Sequence, residues 1–417
     1  MSVNHDPRVL LYPRIRKSPF FYASRRHGVA MYSVYNHTYH PRHYGDPVAE
    51  YWALLEGATL WDVGVERQVE ISGPDAFDFT NLLITRDLSK CRIGQCKYVF
   101  LTDQHGGILN DPVLLRLEEN RFWLSLADSD ILLWARGVAT HAGMDVHIAE
   151  IDVAPVQVQG PKSFAVLRDL LGDGVADIRY YYLHDFQVDG IDVTVSRTGY
   201  TGEIGYEIYV HDASRNAERL WELVWEAGRP HGLQVIGPCH IRRIEGGMLA
   251  HGADITVETN PFEIGMGYDW MVDLEQEGDF IGKQALARIK AEGPRRTLVG
   301  LEIGGADLGT YNDGSMIDVF PVLHEGERVG EVTSACRSPR LEKNIALAMV
   351  PTELAEIGTT LHVDTGERPG AAEPSGTEPV EAVVVPKPFI DPSKEQPKGE
   401  VASPDVPGPA GRQPDPR

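Results

Sequence analysis

One local pattern occurs twice in the chain and constrains the fold more than any other feature. Residues 69–83 and 156–170 each contain an apolar extended run, a Gly-Pro pair and an amphipathic run with helical spacing. The Gly-Pro pair ends the first run, and proline suits the first turn of a following helix. A repeated strand-then-helix unit predicts an α+β protein, with two α/β lobes built on mostly antiparallel sheets.

The length of the chain predicts several domains, because 417 residues are too many for one hydrophobic core. Short candidate strands separated by glycine turns predict a C-terminal β domain over 291–391, either a small barrel or a jelly roll. We divide the rest into an N-terminal packing segment (1–45), a first lobe (46–155) and a second lobe (156–290). A tail of Pro, Gly, Lys and Glu (392–417) is expected to be disordered.

The N-terminal segment has no regular pattern but carries many aromatic rings. Phe20 and Phe21 follow a basic run, and Tyr32 and Tyr35 stand further along. Burial of such a ring is worth about 2 kcal/mol, so we expect this segment to pack into or across a groove. Asp46 and Pro47 then have the order of a helix N-cap and first helical residue.

Composition excludes several classes of function. A net charge of −22 argues against nucleic acid or an anionic membrane as the main partner. No apolar run approaches the ~20 residues of a membrane span, and the first residues lack an apolar signal-peptide core. We therefore expect a cytoplasmic protein. The cysteines are few and lack zinc-site spacing, so we predict structural thiols and no metal site: Cys91, Cys96, Cys239 and Cys336.

A glycine-rich stretch, residues 197–210, is the first candidate binding element. Its three glycines lie between two alternating apolar runs, which predicts a strand, a tight turn and a second strand. Glu203 and Glu207 offer acceptors, and Tyr200 and Tyr206 offer flat faces, a set that suits a planar ligand carrying N–H donors. An ordinary hairpin with solvated glutamates is the alternative.

The same stretch, Thr198-Gly-Tyr-Thr-Gly-Glu-x-Gly-Tyr-Glu207, resembles the signature of the folate-binding aminomethyltransferase family, the glycine-cleavage T-protein and its relatives. The resemblance implies that family's multi-domain fold, with a central folate cleft and tetrahydrofolate as the cofactor. It also implies that Tyr200 and Glu207 line the folate pocket, the carboxylate of Glu207 bonding the amino edge of the pterin.

A second motif supplies the candidate catalytic carboxylate. Residues 106–112 end a turn and enter an apolar run, and Asp111 lies at the entrance of that run. By itself this pattern also fits a turn aspartate that bonds the local backbone. The segment resembles the family's Gly-Gly-Ile-x-Asp-Asp motif, with Asn110 in place of the first Asp. The resemblance implies that Asp111 positions the reactive nitrogens of tetrahydrofolate and is catalytic.

Two further cofactor-binding residues are implied by the resemblance. Tyr98, in a Gly-x-x-x-Tyr strand, falls along the folate wall, although a half-buried strand tyrosine is the plain alternative. Arg243 matches the arginine of a family helix, and its planar guanidinium suits a carboxylate such as the folate glutamate tail. Its neighbour Arg242 is expected to point elsewhere, as a surface charge.

Several other stretches resemble the dimethylsulfoniopropionate demethylase branch of the family, among them 14–20, 32–37, 86–90, 107–113 and 123–130. The branch implies a tetrahydrofolate-dependent methyltransferase that takes a methyl group from a small cationic donor. Aromatic faces stabilise a cation, and a lysine can hold a carboxylate of the donor. The substrate-binding candidates are Lys17 for the carboxylate and Tyr32, Tyr35, Trp61, Trp123 and Tyr200 for the cation, with core packing the alternative for each ring.

One departure leaves the donor open. The demethylase carries a tryptophan at the position of Tyr200, whereas this chain keeps the motif of the glycine-cleavage enzymes. The alternatives are therefore a donor such as a methylated amine, or an aminomethyltransferase of glycine cleavage with a lipoyl carrier protein as partner. A folate-binding regulatory protein without transfer chemistry is a third alternative.

Overall fold

The structure is a computed structural model that describes residues 14–310, 320–366 and 378–399. Within these residues the chain forms two open sheets, a closed barrel and two small hairpins. The strands are β1 (Met31–Tyr35), β2 (Thr38–His43), β3 (Thr59–Asp62), β4 (Gln68–Ser72), β5 (Cys96–Tyr98), β6 (Leu101–Thr102), β7 (Ile108–Asn110), β8 (Val113–Glu118), β9 (Arg121–Ser125), β10 (His147–Glu150), β11 (Val153–Gln159), β12 (Leu183–Val188), β13 (Ile191–Ser196), β14 (Gly205–His211), β15 (Gln234–Val235), β16 (Arg296–Ile303), β17 (Pro321–His324), β18 (Glu327–Ser338), β19 (Lys343–Pro351), β20 (Thr360–Val363) and β21 (Val380–Val385).

The α-helices lie mainly between the strands of the two open sheets. They are α1 (Phe21–Arg26), α2 (Pro47–Glu56), α3 (Ala76–Leu83), α4 (Ile131–Ala142), α5 (Ser163–Leu171), α6 (Ala213–Gly228), α7 (His240–Glu245), α8 (Lys283–Glu292) and α9 (Glu395–Lys398). The N-cap expected for α2 is present, because the side chain of Asp46 accepts a hydrogen bond from the backbone N–H of Val48. None of the described helices is long and apolar enough to cross a membrane.

The first open sheet is antiparallel throughout, with strand order β10-β4-β9-β8-β5. Helices α3 and α4 cover one face of it, and Phe79, Leu83 and Ile131 join strand residues in one buried apolar cluster. The strands are held in register by pairs such as Val69 with Leu124. Burial of each such side chain contributes roughly 2 kcal/mol, so this cluster fixes the sheet that contains β8, the strand that begins at Val113.

The second open sheet has the order β12-β13-β14-β11-β3-β15, and it is antiparallel except for the β15–β3 pair. Helices α5 and α6 pack on it. The apolar stripe of α6, predicted from its spacing, lies against the sheet, with Leu220 and Val224 fully buried and Leu223 partly buried. The predicted α+β class with mostly antiparallel sheets is confirmed.

The repeated unit has the predicted form in both sheets. Each copy is a strand, a Gly-Pro break and a helix: β4 then α3, and β11 then α5. Gly73 and Gly160 have φ values of +121° and +109°. A Cβ at either position would meet backbone oxygen at 2.8 or 2.6 Å, so only glycine lets the chain turn this closely.

The first sheet is inserted into the second. Strand β3 lies in the predicted first lobe (46–155), yet it pairs with β11 of the second sheet, Asp62 opposite Val156. The chain leaves the second sheet after β3, builds the first sheet from β4 to β10, and returns at β11. Two short connections, 63–67 and 151–152, therefore join the sheets.

The C-terminal β domain is a closed six-stranded barrel, of strand order β16-β19-β18-β17-β20-β21, with β21 pairing back to β16. Of the two predicted architectures, the small barrel is the one found. Residues 367–377 lie outside the described residues, and β21 begins at residue 380. Val384 and Ala382 of β21 point into the barrel core.

The N-terminal segment is more regular than its sequence indicates. Helix α1 is followed by the β1–β2 hairpin, whose two-residue turn is Asn36-His37. Both turn residues have positive φ, and this turn geometry matches the twist of the two strands. Strands β1 and β2 line the cavity described below, whereas residues 1–13 of the segment lie outside the described residues.

The expected disorder from residue 392 onward is wrong for 392–399. This part forms the short helix α9, buries Pro397 and contacts the second lobe. Arg197 donates to the backbone oxygen of Gly399, and Arg242 donates to Gln396 at 2.8 Å. Composition alone missed these contacts because the partners are side chains elsewhere in the fold. Residues 400–417 lie outside the described residues.

Candidate active site

A cavity of about 790 Å³ lies where the two sheets, the N-terminal hairpin and the segment after the barrel meet. We call it the central cleft and define it by Tyr35, Glu66, Asp111, Tyr200 and Glu207, which all line it. Strand β1 forms one wall, the two sheets form the base, and residues 390–397 complete the rim. Parts of the chain that are far apart in the sequence thus contribute to one site.

Asp111 lies between β7 and β8 of the first lobe. Its Oδ2 accepts a hydrogen bond of 2.8 Å from the hydroxyl of Tyr98, and its Oδ1 is buried without a partner. Asn110 holds this corner in place: its amide donates to the backbone oxygen of Ala127 and to Ser129, at 2.9 and 2.7 Å. Asn110 is therefore a structural support, whereas Asp111 keeps one oxygen available.

The environment of Asp111 favours its protonated form. Burial raises the pKa of Asp111 to about 7, although the hydrogen bond from Tyr98 opposes the shift by stabilising the carboxylate. A carboxyl with a pKa near neutrality can accept and release a proton under ordinary conditions. In the same way, burial raises the pKa of Tyr98 well above its usual value.

Glu207 lies on β14 at the base of the cleft and accepts four hydrogen bonds, one at Oε1 and three at Oε2. Gln157 donates to its Oε1 at 2.7 Å, and Tyr209 donates to its Oε2 at 2.8 Å. Thr198 and Ser196 also donate to Oε2. Burial raises the pKa of Glu207, and these four donors oppose that shift.

The predicted glycine-rich turn is present between β13 and β14. It places Tyr200 in the cleft wall, where its hydroxyl donates to the backbone oxygen of Leu249 at 2.7 Å. Tyr206, on the other face of β14, is fully buried and belongs to the core of the second lobe. The structure thus brings Tyr98, Asp111, Tyr200 and Glu207 to one cleft.

The two arginines of α7 differ from expectation. Arg243 lines the cleft, but its guanidinium donates to Asp254 at 2.6 Å and to Ser334 at 2.7 Å, so a protein carboxylate already holds it. Arg242, expected to be a surface charge, is 1% exposed and donates to Glu203 at 2.8 Å. Its Nη1 is buried in the cleft wall without a partner.

Two predicted substrate-binding residues lie outside the cleft. Lys17 is exposed, and its ammonium group contacts Tyr22 and lies over the rings of Tyr22 and Phe21. Trp123 is 1% exposed, and its indole N–H donates to Glu70 at 2.8 Å within a separate apolar cluster. Trp123 packs in the core because both faces of β9 are covered.

The other ring candidates do line the cleft: Tyr32, Tyr35 and Trp61. Tyr32 stacks on Phe21 with centroids 5.4 Å apart, which fixes its ring across the hairpin. Burial raises the pKa of Tyr35 well above its usual value, and the charge of Asp111 raises it further. These rings therefore present neutral aromatic faces to a ligand.

The structure also adds residues that the sequence did not single out. Glu66 and Gln157 lie in the cleft, as do His40, Arg42 and His240. Burial lowers the pKa of His40 to about 3, and the charge of Arg42 adds to this effect, so the imidazole stays neutral. No motif marked Glu66; its position directly after the apolar run 63–65 was the one usable signal. Within the described ranges, no cluster of three or more side chains could hold a metal ion.

Two family models match this architecture. Residues 20–276 match the GCVT N-terminal domain, and residues 296–391 match the glycine cleavage T-protein C-terminal barrel domain. The crystal structure of the glycine cleavage system aminomethyltransferase T from Bartonella henselae superposes with a TM-score of 0.77. It covers 90% of this chain and 98% of that one at 23% identity, and so supports the fold.

Two curated relatives are similar over most of their length. The dimethylsulfoniopropionate demethylase DmdA of Ruegeria pomeroyi is 37% identical over 358 residues, 85% of this chain and 95% of the relative. An aminomethyltransferase of Alkaliphilus metalliredigens is 34% identical over 322 residues, 76% of this chain and 84% of the relative. The fold and these relatives define the class of the protein: a one-carbon transferase that uses tetrahydrofolate. Within that class, the chain belongs to the glycine cleavage T-protein family.

Proposed function

We propose that the protein transfers a methyl group from a small cationic donor, such as dimethylsulfoniopropionate, to tetrahydrofolate. The observation that carries the proposal is Asp111, a cleft carboxyl with one unpartnered oxygen and a pKa near 7. Its surroundings of tyrosine rings suit a cationic donor, and the 37% identical relative is a demethylase of such a donor.

The polar groups of the cleft fit a reduced folate. Such a ligand carries N–H donors on a flat ring and carboxylates at the far end of its tail. Among the described residues, two acceptors of cleft-lining side chains, Asp111 Oδ1 and Gln157 Oε1, are buried without a partner, and so are two guanidinium donors, Arg242 Nη1 and Arg243 Nε. Buried groups of this kind cost stability unless a ligand satisfies them.

We assign each group a part in holding the folate. Glu207 would accept hydrogen bonds from the amino edge of the pterin, and the rings of Tyr98 and Tyr200 would lie along the flat system. Both arginines of α7 are ion-paired, Arg242 with Glu203 and Arg243 with Asp254. Among the described residues each also keeps one buried N–H without a partner, Nη1 of Arg242 and Nε of Arg243, so either would have a donor for a carboxylate of the tail.

Asp111 would act as the general base of the reaction. Bound tetrahydrofolate supplies the nitrogen nucleophile that receives the one-carbon unit. Asp111 Oδ1 would take the proton that this nitrogen loses as the new nitrogen–carbon bond forms. For a sulfonium donor the carbon–sulfur bond breaks at the same time, with its electron pair staying on sulfur. Tyr98 orients the carboxylate for this task through its 2.8 Å hydrogen bond.

The donor would lie between the N-terminal hairpin and the first lobe. Tyr32, Tyr35 and Trp61 supply the aromatic faces there. Because Lys17 is outside the cleft, a carboxylate on the donor would meet Arg42 of β2 instead. We further propose a cytoplasmic location, supported by the four cysteines, which are all buried and unpaired.

A second candidate function is aminomethyl transfer in glycine cleavage. The observation that favours it is the intact Thr198–Glu207 turn, in which Thr198 donates to Glu207 as part of the folate wall. The 34% identical relative is an aminomethyltransferase. This function would require a lipoyl carrier protein as partner, with its arm entering the same cleft.

The two functions separate in one assay. Purified protein with tetrahydrofolate and dimethylsulfoniopropionate should give 5-methyltetrahydrofolate and methylthiopropionate, with Asp111→Asn as the inactive control. The same protein with tetrahydrofolate and an aminomethyl-loaded lipoyl carrier should give neither ammonia nor methylenetetrahydrofolate. Release of ammonia in the second reaction alone would establish the aminomethyltransferase. A panel of other sulfonium and methylated ammonium donors then identifies the preferred methyl source.

A further inference from the structure

Glu66 is a second carboxyl at the base of the central cleft, next to Glu207. It lies in the 63–67 connection between the two sheets and lines the cleft together with Val63 and Val65. Its backbone belongs to neither sheet, whereas Glu207 is in the middle of β14. Two acids from different parts of the chain therefore face the same end of the cleft.

The two carboxyls are very unequally hydrogen bonded. Glu207 accepts from four donors, the side chains of Gln157, Thr198, Ser196 and Tyr209. Among the described residues, the side chain of Glu66 accepts from Ser125 alone, at 2.8 Å to Oε2. Ser125 itself accepts from Gln68 at 2.8 Å, so its hydroxyl hydrogen is directed to Glu66. Donors stabilise an ionised carboxylate, and the charge should therefore reside on Glu207.

The electrostatics agree with this division. Burial, and then the charge of Glu207, hold the pKa of Glu66 well above its usual value, and Ser125 only partly opposes them. The titratable groups that face the pair are Tyr35 of β1, Tyr209 of β14, Cys96 of β5 and Tyr181, and burial raises the pKa of each so that it stays neutral. The neighbouring Arg67 points away, to Glu150. Ionising both Glu66 and Glu207 in this low-dielectric site would cost much free energy, because the two negative charges repel each other. The pair therefore retains one proton.

We propose that Glu66 is a protonated carboxylic acid that donates a hydrogen bond from Oε1 and positions the pterin in the cleft. The pterin edge carries N–H donors beside a carbonyl oxygen. Ionised Glu207 would accept from the N–H groups, and neutral Glu66 would donate to the carbonyl. The inference rests on the folate part of the proposed function. It assigns Glu66 as a positioning residue and leaves the proton transfer to Asp111.

The test is folate affinity as a function of pH, measured without a methyl donor. All variants carry Asp111→Asn, so that the titration of residue 111 does not contribute. With Glu66 present, the Kd for tetrahydrofolate should rise by up to about tenfold per pH unit once Glu66 loses its proton. Glu66→Gln keeps an N–H donor that does not titrate. Its Kd should stay within about threefold of the parent at low pH and should not vary with pH.

The matched variant Glu66→Met has similar length but no donor. Its Kd should be about tenfold higher than that of Glu66→Gln at low pH. A second readout is independent of ligand: the infrared carbonyl band of a protonated carboxyl should be lost in Glu66→Gln and kept in Glu207→Gln.

Three results would overturn the inference while leaving folate binding intact. These are equal weakening by Gln and Met, a pH dependence that survives in Glu66→Gln, and a carboxyl band that persists in that variant. Absence of any folate binding by the unmodified protein is a different outcome, since it would overturn the proposed function and this inference together.

Discussion

Asp111 and Glu207 are buried carboxyls of the same cleft, but the protein holds them in opposite ways. Glu207 is enclosed by four hydrogen-bond donors on the second sheet. Asp111, on the first sheet, has one donor, Tyr98, and an oxygen without a partner. Burial raises the pKa of both, and the donor count decides how far the carboxylate is restored.

The difference indicates a division of labour between the two lobes. A carboxylate held by four donors keeps a fixed charge and geometry, which suits recognition. A carboxyl with a single donor and a pKa near 7 exchanges protons readily, which suits chemistry. The first lobe would therefore carry the catalytic carboxyl, and the second lobe would bind the ligand.

The largest effect should follow from Asp111→Asn. The amide keeps the shape of the side chain but cannot accept the proton, so turnover should fall by about 100- to 10,000-fold. The Kd for tetrahydrofolate should change by less than about threefold. Single-turnover rates and calorimetry measure the two quantities. Equal, small losses in both would favour a binding protein without transfer chemistry.

Glu207→Gln should show the reverse pattern. Loss of the charge weakens the hydrogen bonds to the ligand, so the Kd for tetrahydrofolate should rise by roughly 10- to 100-fold. Turnover at saturating folate should fall by only a few-fold. Glu218→Gln, on the exposed face of α6, serves as a control for the substitution itself. If turnover collapses while affinity is kept, the proposed division between the lobes is wrong.

The smallest effect, and the finest test, is Tyr98→Phe. Its hydroxyl stabilises the ionised form of Asp111, so its removal should raise the pKa of Asp111 further above about 7. Because the reaction needs the ionised carboxylate, the acid limb of the pH–rate profile should move to higher pH, by roughly half a unit to one unit. At high pH the rate should be nearly unchanged. A shift to lower pH would contradict the assigned role of Tyr98.

Short motifs, through their resemblance to those of a known family, pointed to part of this site. The Gly-rich turn, the 106–112 motif and the Gly-x-x-x-Tyr strand gave Glu207, Asp111 and Tyr98 as candidates, and all three side chains line the cleft. Each is a short segment whose backbone geometry depends on its own glycines and apolar neighbours. Such features can be recognised in the sequence without knowledge of the tertiary structure.

Residues that depend on long-range packing could not be placed in this way. Trp61 and Trp123 have similar apolar surroundings in the sequence, yet only Trp61 reaches the cleft. Strand alternation cannot choose a face for Trp123, because Phe122 and Leu124 beside it are also fully buried. Helical spacing fails for Arg242 and Arg243 for the same reason: every residue from Ile241 to Glu245 is buried.

The insertion of the first sheet into the second also has consequences for folding. Strand β3 cannot form its pair with β11 until the whole first sheet, which lies between them in the sequence, has been synthesised. Contacts between such distant segments slow folding, although the entropic cost of closing the intervening loop grows only slowly with its length. The cleft base between the two crossings, where Glu66 lies, should consequently form late. We infer that a nascent chain acquires its folate pocket only after both lobes have been made.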